Sequence, residues 1–187
     1  SIKGDALASF PGMARRQAVL YRAAELTVVE DYAHHPTEID ALIECLRGNE
    51  PDKQLVIVFQ PHRYSRTRQF KAEFAQSLQA ADHVYLLPVY AAHESEPAGV
   101  ETADLAQAFV GQRPVELEMS LAGIQSLAAA IQTEPTQLAF VGAGDIELFA
   151  AAFTAWVGVR PLGGDAAEPR ASPPSKAGAP RLATAWA

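Results

Sequence analysis

Short apolar runs alternate with segments of helical periodicity along most of this chain, and this alternation constrains the fold more than any other feature. It extends from Gln17 to Val157. The run Leu55–Phe59 is apolar at every position, which is typical of a strand covered on both faces. Strands and helices in this order predict an α/β fold, a mostly parallel, Rossmann-like sheet with helices on both faces.

The alternation predicts five strands and five helices. The predicted strands are Thr27–Asp31, Leu55–Phe59, His83–Val89, Val115–Glu118 and Leu138–Val141. Apolar residues at helical spacing mark the helices around Ile39–Leu46, Phe70–Ala81, Leu105–Phe109, Leu121–Ile131 and Ile146–Phe153.

The first helix carries start and stop signals. We predict that it runs from Pro36 to Arg47 and ends at Gly48. Thr37 and Asp40 resemble a capping box at its start. Cys45, the single cysteine of the chain, lies near the apolar face of this helix and is predicted to be a core residue.

The two ends of the chain do not follow the alternation. Residues 1–10 resemble the end of a helix or linker that enters from an earlier segment. Five of the thirteen prolines follow Arg160, mixed with glycine, alanine and serine, and this predicts a flexible linker or tail at 159–187. One domain is therefore predicted at 11–158.

Composition excludes several classes of protein. Of the 187 residues, 49% are hydrophobic and 20% are charged, a globular balance that excludes wholesale disorder. The net charge of −7 disfavours a general nucleic-acid binder. No apolar run approaches the about 20 residues that a membrane-spanning helix needs.

Unusual residues cluster where the predicted strands end, which is where parallel sheets bind ligands. Adjacent histidines, His34 and His35, follow the first strand. Neighbouring side chains point apart, and no zinc-ligand spacing surrounds them, so we predict no metal site. They either contact a ligand, or one caps the following helix while the other is solvated.

The loop after the second strand carries three arginines and a histidine within seven residues: His62, Arg63, Arg66 and Arg68. If a helix begins here, Arg63 and Arg66 share a face. Two guanidinium groups on one face suit a carboxylate or a phosphate. The alternative is a solvated basic surface, but the position at a strand end favours an anion site.

Two further segments belong to the same predicted edge. Gly142–Ile146 lacks the third glycine of a dinucleotide fingerprint, and we interpret it as a structural turn with Asp145 capping the following helix. Tyr90–Glu94 follows the third strand. The sequence contains no P-loop, no nucleophile elbow and no helical zinc motif, so it predicts ligand-binding loops without an apparatus for phosphoryl transfer.

Taken together, these motifs resemble the C-terminal domain of the Mur ligases, and most closely the branch that adds L-alanine. The resemblance runs from about Leu7 to Val157. Its motifs are the segments Asp31–Glu38, Phe59–Thr67 and Gly142–Ile146, with Phe10, Gly12 and Arg15–Arg16 at the entry to the domain. Ala33 and His93 stand where the family usually carries glycine.

The resemblance implies a cytoplasmic, ATP-dependent ligase of peptidoglycan synthesis. An N-terminal domain would hold UDP-N-acetylmuramate, and a central P-loop domain would hold ATP and Mg²⁺. The sugar carboxylate would become an acyl phosphate, which the amine of L-alanine then attacks. This chain would be inactive alone and would contribute no catalytic nucleophile.

The resemblance also implies roles for individual residues. Arg63 and Arg66 would hold the carboxylate of L-alanine. The same amino-acid pocket would be lined by Tyr32, His34 and His62. The nucleotide would be contacted by Arg16 and Asp31. The alternatives are a domain of the branch that recycles a tripeptide, or a non-catalytic anion- or nucleotide-binding module.

Overall fold

A computed structural model describes residues 16–95 and 102–159 as six strands and six helices. The strands are β1 Ala18–Arg22, β2 Leu26–Asp31, β3 Gln54–Phe59, β4 His83–Leu86, β5 Val115–Glu116 and β6 Thr136–Val141. The helices are α1 Pro36–Asn49, α2 Tyr64–Gln69, α3 Lys71–Leu78, α4 Thr102–Ala106, α5 Leu121–Ala130 and α6 Ile146–Val159. The predictions for residues 1–10 and for the tail beyond Val159 lie outside the described residues.

The strands form one sheet in the order β1-β2-β6-β3-β4-β5. All neighbouring pairs are parallel except β1 and β2, which are antiparallel. The mostly parallel sheet is therefore confirmed. The sequence analysis missed β1, a short strand with the apolar run Ala18–Tyr21 that pairs with β2 at the edge of the sheet.

Helices cover both faces of the sheet, as predicted. On one face α5 and α6 pack Leu127, Phe149 and Phe153 against the strands. On the other face α1, α3 and α4 bury an equivalent set that includes Ile39 and Phe74. Strands buried on both sides explain the apolar character of β3 and β6. No helix within 16–95 or 102–159 has the length and hydrophobicity to cross a bilayer.

The structure corrects the prediction for α1. The helix continues through Gly48 to Asn49, and Glu50 leaves helical geometry just ahead of Pro51. The residue before a proline disfavours helical geometry, which explains the end better than Gly48 does. At the start, the carboxylate of Glu38 accepts hydrogen bonds from the backbone N–H of His35 and His34, so Thr37 and Asp40 are not the capping pair.

The core assignment of Cys45 was also wrong. Its side chain is partly exposed, and its Sγ donates to Gln17 Oε1 over 3.3 Å. The helix predicted over Phe70–Ala81 is α3, which is shorter than predicted at both ends and begins directly after Phe70, where the preceding helix α2 ends. Phe70 has φ −108° and ψ 23°, which separates the two helices, although its N–H still donates to Arg66 O and its carbonyl accepts from Phe74 N.

Several boundaries are shorter than predicted. The strand β4 ends at Leu86, before Pro88, which cannot donate to a ladder. The strand β5 spans only Val115–Glu116. The helix α4 ends before Phe109 and α5 ends before Ile131, and both of these side chains are buried although they lie outside the helices.

Candidate functional site at the carboxyl edge of the sheet

Four strands end side by side and bring their following loops together. Asp31 pairs with Val141, Val141 with Phe59, and Phe59 with Leu86, so the ends of β2, β6, β3 and β4 are in register. Backbone hydrogen bonds continue one residue further, from Gln60 N to Val141 O over 3.0 Å. This row, which we call the carboxyl edge, is where a ligand site is expected in such a sheet.

Asp31 closes one end of this edge and is 95% buried, with a relative exposure of 5%. Its Oδ1 accepts from Ala33 N over 2.7 Å, and its Oδ2 accepts from Gln17 N over 2.9 Å. Gln17 has φ 50°, a left-handed conformation that a non-glycine residue adopts at a cost. Asp31 therefore fixes the corner from which Arg16 extends.

The two histidines point apart, as predicted. His34 donates from Nδ1 to the carbonyl of Tyr32 over 3.0 Å, which leaves Nε2 as its acceptor. Its ring lies 5.3 Å from the ring of Tyr32. His35 is the N-cap residue of α1, and its ring packs against Phe70 at 4.8 Å. His34 thus faces the site, and His35 supports the helix start.

The arginine loop, residues 60–68, turns sharply at Arg63. Arg63 has φ 70°, its N–H donates to Tyr90 O over 2.8 Å, and its side chain is exposed. Its carbonyl accepts from Thr67 N and from Thr67 Oγ1. The helix begins at Tyr64, one residue after Arg63, so Arg63 precedes the helix that carries Arg66.

A chain of rings connects the loops across the carboxyl edge. His62 lies 5.9 Å from His34 and stacks on Tyr90 at 5.5 Å. Arg66 Nη1 lies 3.3 Å from His62 Nδ1. Burial, with the positive charge of Arg66 next in size, lowers the pKa of His62 to about 4. His62 is therefore neutral at physiological pH, beside a guanidinium that keeps its charge.

The glycine loop after β6 is filled by protein side chains. Gln60 donates to Asp145 Oδ1 over 2.7 Å and accepts from Ile146 N over 3.0 Å. A Cβ on Gly144 would lie 2.5 Å from Gln60 Oε1 and 2.6 Å from Tyr90 Cγ. The loop is packed as a structural turn, which agrees with its interpretation from sequence.

Arg16 and Asp31 border one cleft of about 290 Å³ beside the start of α1. Arg16 Nη2 lies 3.6 Å from Glu38 Oε1, and its side chain is largely exposed. Four of the predicted site residues form a continuous series of contacts, namely Tyr32, His34, His62 and Arg66. Arg16 and Asp31 lie together at the cleft beside α1. In the part of the chain that the structure describes, no cluster of three or more His, Cys, Asp or Glu side chains could hold a metal ion.

Two residues of the edge were not assigned to the site from the sequence. Tyr90 stacks on His62, and Glu94 accepts hydrogen bonds from the backbone and the hydroxyl of Ser65. The only available signal was that Tyr90–Glu94 follows a strand at the same edge. Its pairing with the arginine loop depends on contacts 28 and 29 residues apart, which no local pattern encodes.

The comparison with known proteins agrees with this geometry. A family model described as "Mur ligase, glutamate ligase domain" matches residues 15–153. A UDP-N-acetylmuramate–L-alanine ligase from Mycobacterium ulcerans is 37% identical over 159 residues, which cover 83% of this chain and 32% of the relative. One from Cytophaga hutchinsonii is 48% identical over 105 residues, 56% of this chain and 22% of the relative.

A solved structure is similar as well. The crystal structure of a UDP-N-acetylmuramate-alanine ligase from Thermotoga maritima superposes with a TM-score of 0.59 at 26% identity, covering 78% of this chain and 30% of that chain. This chain therefore spans about a third, or less, of the length of the relatives that it matches.

Proposed function

The chain belongs to the Mur ligase family, and we propose that it supplies the amino-acid-binding domain of an ATP-dependent ligase that joins L-alanine to UDP-N-acetylmuramate. The names of the relatives support this choice of substrates. The single observation that carries the proposal is the arginine loop, where Arg66 is held against a neutral His62 at the carboxyl edge. We assign the reaction to the cytoplasmic stage of peptidoglycan synthesis.

Arg63 and Arg66 hold the carboxylate of L-alanine in this proposal. A guanidinium has five N–H donors, and the contact with His62 uses one of those on Arg66. Those that remain suffice for a paired contact with a carboxylate. The exposed side chain of Arg63 is able to close on the same carboxylate from the other side of the turn.

Tyr32, His34 and His62 line the amino-acid pocket in this proposal. His62 is neutral, because its pKa is lowered to about 4, and it therefore adds no positive charge beside Arg66. In the neutral tautomer that donates from Nδ1 to Tyr32 O, Nε2 of His34 is an acceptor. Such an acceptor suits a group that donates hydrogen bonds, such as the amine of the amino acid.

We assign the nucleotide contact to Arg16, with Asp31 holding the adjacent Gln17 in place. The described residues offer no carboxylate cluster for Mg²⁺, and the sequence has no P-loop. We therefore propose that Mg²⁺ and the triphosphate of ATP bind in parts of the protein outside this chain. On this view the isolated chain has no ligase activity.

The contribution of this chain to the reaction is positioning and charge neutralisation. Phosphorylation of the sugar carboxylate gives an acyl phosphate, and attack by the alanine amine forms the amide and releases phosphate. Holding the amino acid by its carboxylate turns its amine toward the acyl carbon and removes the entropy cost of a bimolecular encounter. None of Arg63, Arg66 and His62 needs to act as a nucleophile.

The test is phosphate release by the full-length protein that carries this domain, with ATP, Mg²⁺ and UDP-N-acetylmuramate. Release that depends on L-alanine supports the proposal. Release with the tripeptide and not with L-alanine would move the protein to the recycling branch. Absence of release with either, together with tight nucleotide binding by this chain alone, would favour a non-catalytic binding module.

A further inference from the structure

The segment after β4, which we call the β4 arm (residues 87–94), is bound to the arginine loop at Tyr90 and at Glu94. Its backbone pairs with the loop in both directions, from Tyr90 N to Pro61 O and from Arg63 N to Tyr90 O, each over 2.8 Å. The rings of Tyr90 and His62 stack beside this pairing. The arm and the loop therefore form one unit, although they follow different strands.

Glu94 makes the last contact of the arm, to a residue of the arginine loop. Its Oε2 accepts from Ser65 N over 3.0 Å, and its Oε1 accepts from Ser65 Oγ over 2.5 Å. Ser65 lies between Arg63 and Arg66 in the sequence. A carboxylate bound by both groups of one residue fixes that residue's position more tightly than either hydrogen bond alone.

The backbone of the arm is strained where it presents Glu94. Ala92 has φ 48° and His93 has φ 73°, two consecutive non-glycine residues in the left-handed region. Glu94 N donates to Ala91 O over 3.0 Å and closes the turn. Such a conformation persists only where surrounding contacts hold it, and the Glu94–Ser65 contact is the one at its end.

A carboxylate beside an anion site would be expected to neutralise the arginines, yet here it does not pair with them. Across residues 16–95 and 102–159, no ion pair joins Glu94 to Arg63 or Arg66. The hydrogen bonds from Ser65 lower the pKa of the Glu94 carboxyl, with a smaller contribution from the charge of Arg63. Glu94 thus stays charged and bound to Ser65, while both guanidinium groups remain available.

We propose that Glu94 is a positioning residue for the amino-acid site, which holds Arg63 and Arg66 in place through Ser65. This inference rests on the proposed function, since it assumes that the two arginines bind the carboxylate of the incoming amino acid. In this proposal Glu94 touches none of the three substrates and acts through the loop. Its removal should weaken binding of the amino acid and leave the other two substrates bound as before.

The kinetic test uses the full-length ligase with L-alanine varied at saturating ATP and UDP-N-acetylmuramate. Glu94→Ala should raise the KM for L-alanine about three- to fivefold, because the contact that it removes is exposed and therefore weaker than a buried charge-assisted hydrogen bond. The KM values for ATP and for the UDP-sugar should change by less than about twofold, because the variant removes no contact to either. Glu94→Gln keeps one acceptor for Ser65 and should lie between the wild type and Glu94→Ala.

A double-mutant cycle and a matched control sharpen the test. Ser65→Ala combined with Glu94→Ala should raise the KM for L-alanine no more than Glu94→Ala does alone, since the hydroxyl of Ser65 has lost its acceptor once Glu94 is replaced. Glu118, whose carboxylate accepts from Ser120 Oγ over 3.4 Å, offers a second exposed serine–glutamate pair as the control. Equal changes in all three KM values, or an effect of Glu118→Ala as large as that of Glu94→Ala, would overturn the proposal.

Hydrogen exchange separates this proposal from the proposed function. In Glu94→Ala, backbone amides of residues 63–67 should exchange faster, while those of β3 and β6 keep their protection. Unchanged exchange in residues 63–67 overturns the positioning role whether or not the protein uses L-alanine. Faster exchange, with a wild type that shows no alanine-dependent phosphate release, retains the positioning role and rejects the assigned substrate.

Discussion

Arg66 Nη1 and His62 Nδ1 are 3.3 Å apart, and because a guanidinium can only donate, the imidazole is the acceptor. This requires His62 to be neutral with its proton on Nε2. Burial and the charge of Arg66 both lower the pKa of His62, which falls from 6.5 to about 4. The charge state of the histidine is therefore tied to the position of the arginine.

The first prediction concerns pH and stability. Between about pH 6.5 and pH 4 the unfolded chain binds a proton at His62 and the folded chain does not. The contribution of the neutral histidine to the unfolding free energy is therefore fully present above this pH range and is lost as pH falls through it. His62→Asn keeps an acceptor for Arg66 but cannot titrate. Urea unfolding at pH 7 and pH 5 should show a larger loss of unfolding free energy in the wild type than in this variant. An equal loss in both would show that His62 does not titrate with a lowered pKa.

The second prediction concerns the arginines. Arg66→Ala in the full-length ligase should raise the KM for L-alanine by about a hundredfold, since a desolvated guanidinium–carboxylate contact is worth about 2–5 kcal/mol. Arg63→Ala should act in the same direction, and the KM for the UDP-sugar should stay nearly unchanged in both. Steady-state phosphate release at varied L-alanine measures these constants.

Arg68 supplies the matched control for both arginine variants. It lies on the same short helix, α2, and is exposed. Arg68→Ala should leave the KM for L-alanine unchanged. A uniform response to all three substitutions would indicate a diffuse electrostatic effect and contradict a specific carboxylate site at Arg63 and Arg66.

The third prediction compares two glycines. Gly144→Ala places a Cβ within 3 Å of Gln60 Oε1 and of Tyr90, and overpacking of this kind costs about 1–3 kcal/mol of unfolding free energy. Gly48→Ala meets open space on α1 and should stabilise the protein by up to about 1 kcal/mol. Thermal unfolding of the two variants measures both signs. A destabilised Gly48→Ala would contradict the finding that α1 continues through this position.

The fourth prediction concerns His93, which has φ 73° and an exposed side chain. Glycine adopts this conformation without steric cost, so His93→Gly should stabilise the β4 arm by about 1 kcal/mol. Urea unfolding of the wild type and the variant measures the change. As a comparison, Pro88→Gly alters the same arm without relieving a left-handed residue and should not stabilise it. A destabilised His93→Gly would show that the imidazole makes a contact that outweighs the strain.

Much of the fold could be predicted because periodicity is a local property of the chain. The apolar run of β3 and the helical spacing in α5 and α6 follow from which faces are buried, and both are visible in short windows. Boundaries were less predictable. The end of α1 depended on Pro51 rather than Gly48, and non-helical geometry at Phe70 delayed the start of the helix predicted from that residue, which spans Lys71–Leu78.

The candidate site divides in the same way. That His34, His62, Arg63 and Arg66 follow strand ends is evident from the sequence, and parallel strands bring such ends to one edge. The sequence therefore determined which loops meet and the charge that they carry.

Only the tertiary structure decided how these loops are joined. The His34–His62 contact, the acceptor role of His62 toward Arg66 and the Glu94–Ser65 contact depend on the register of β2, β3 and β4 and on the burial that it creates. Protonation and hydrogen bonding respond to neighbours that are distant in sequence, and a residue's type alone does not specify those neighbours. The position of β1 was decided in the same way, because its antiparallel pairing with β2 at the sheet edge is a contact between separate segments of the chain.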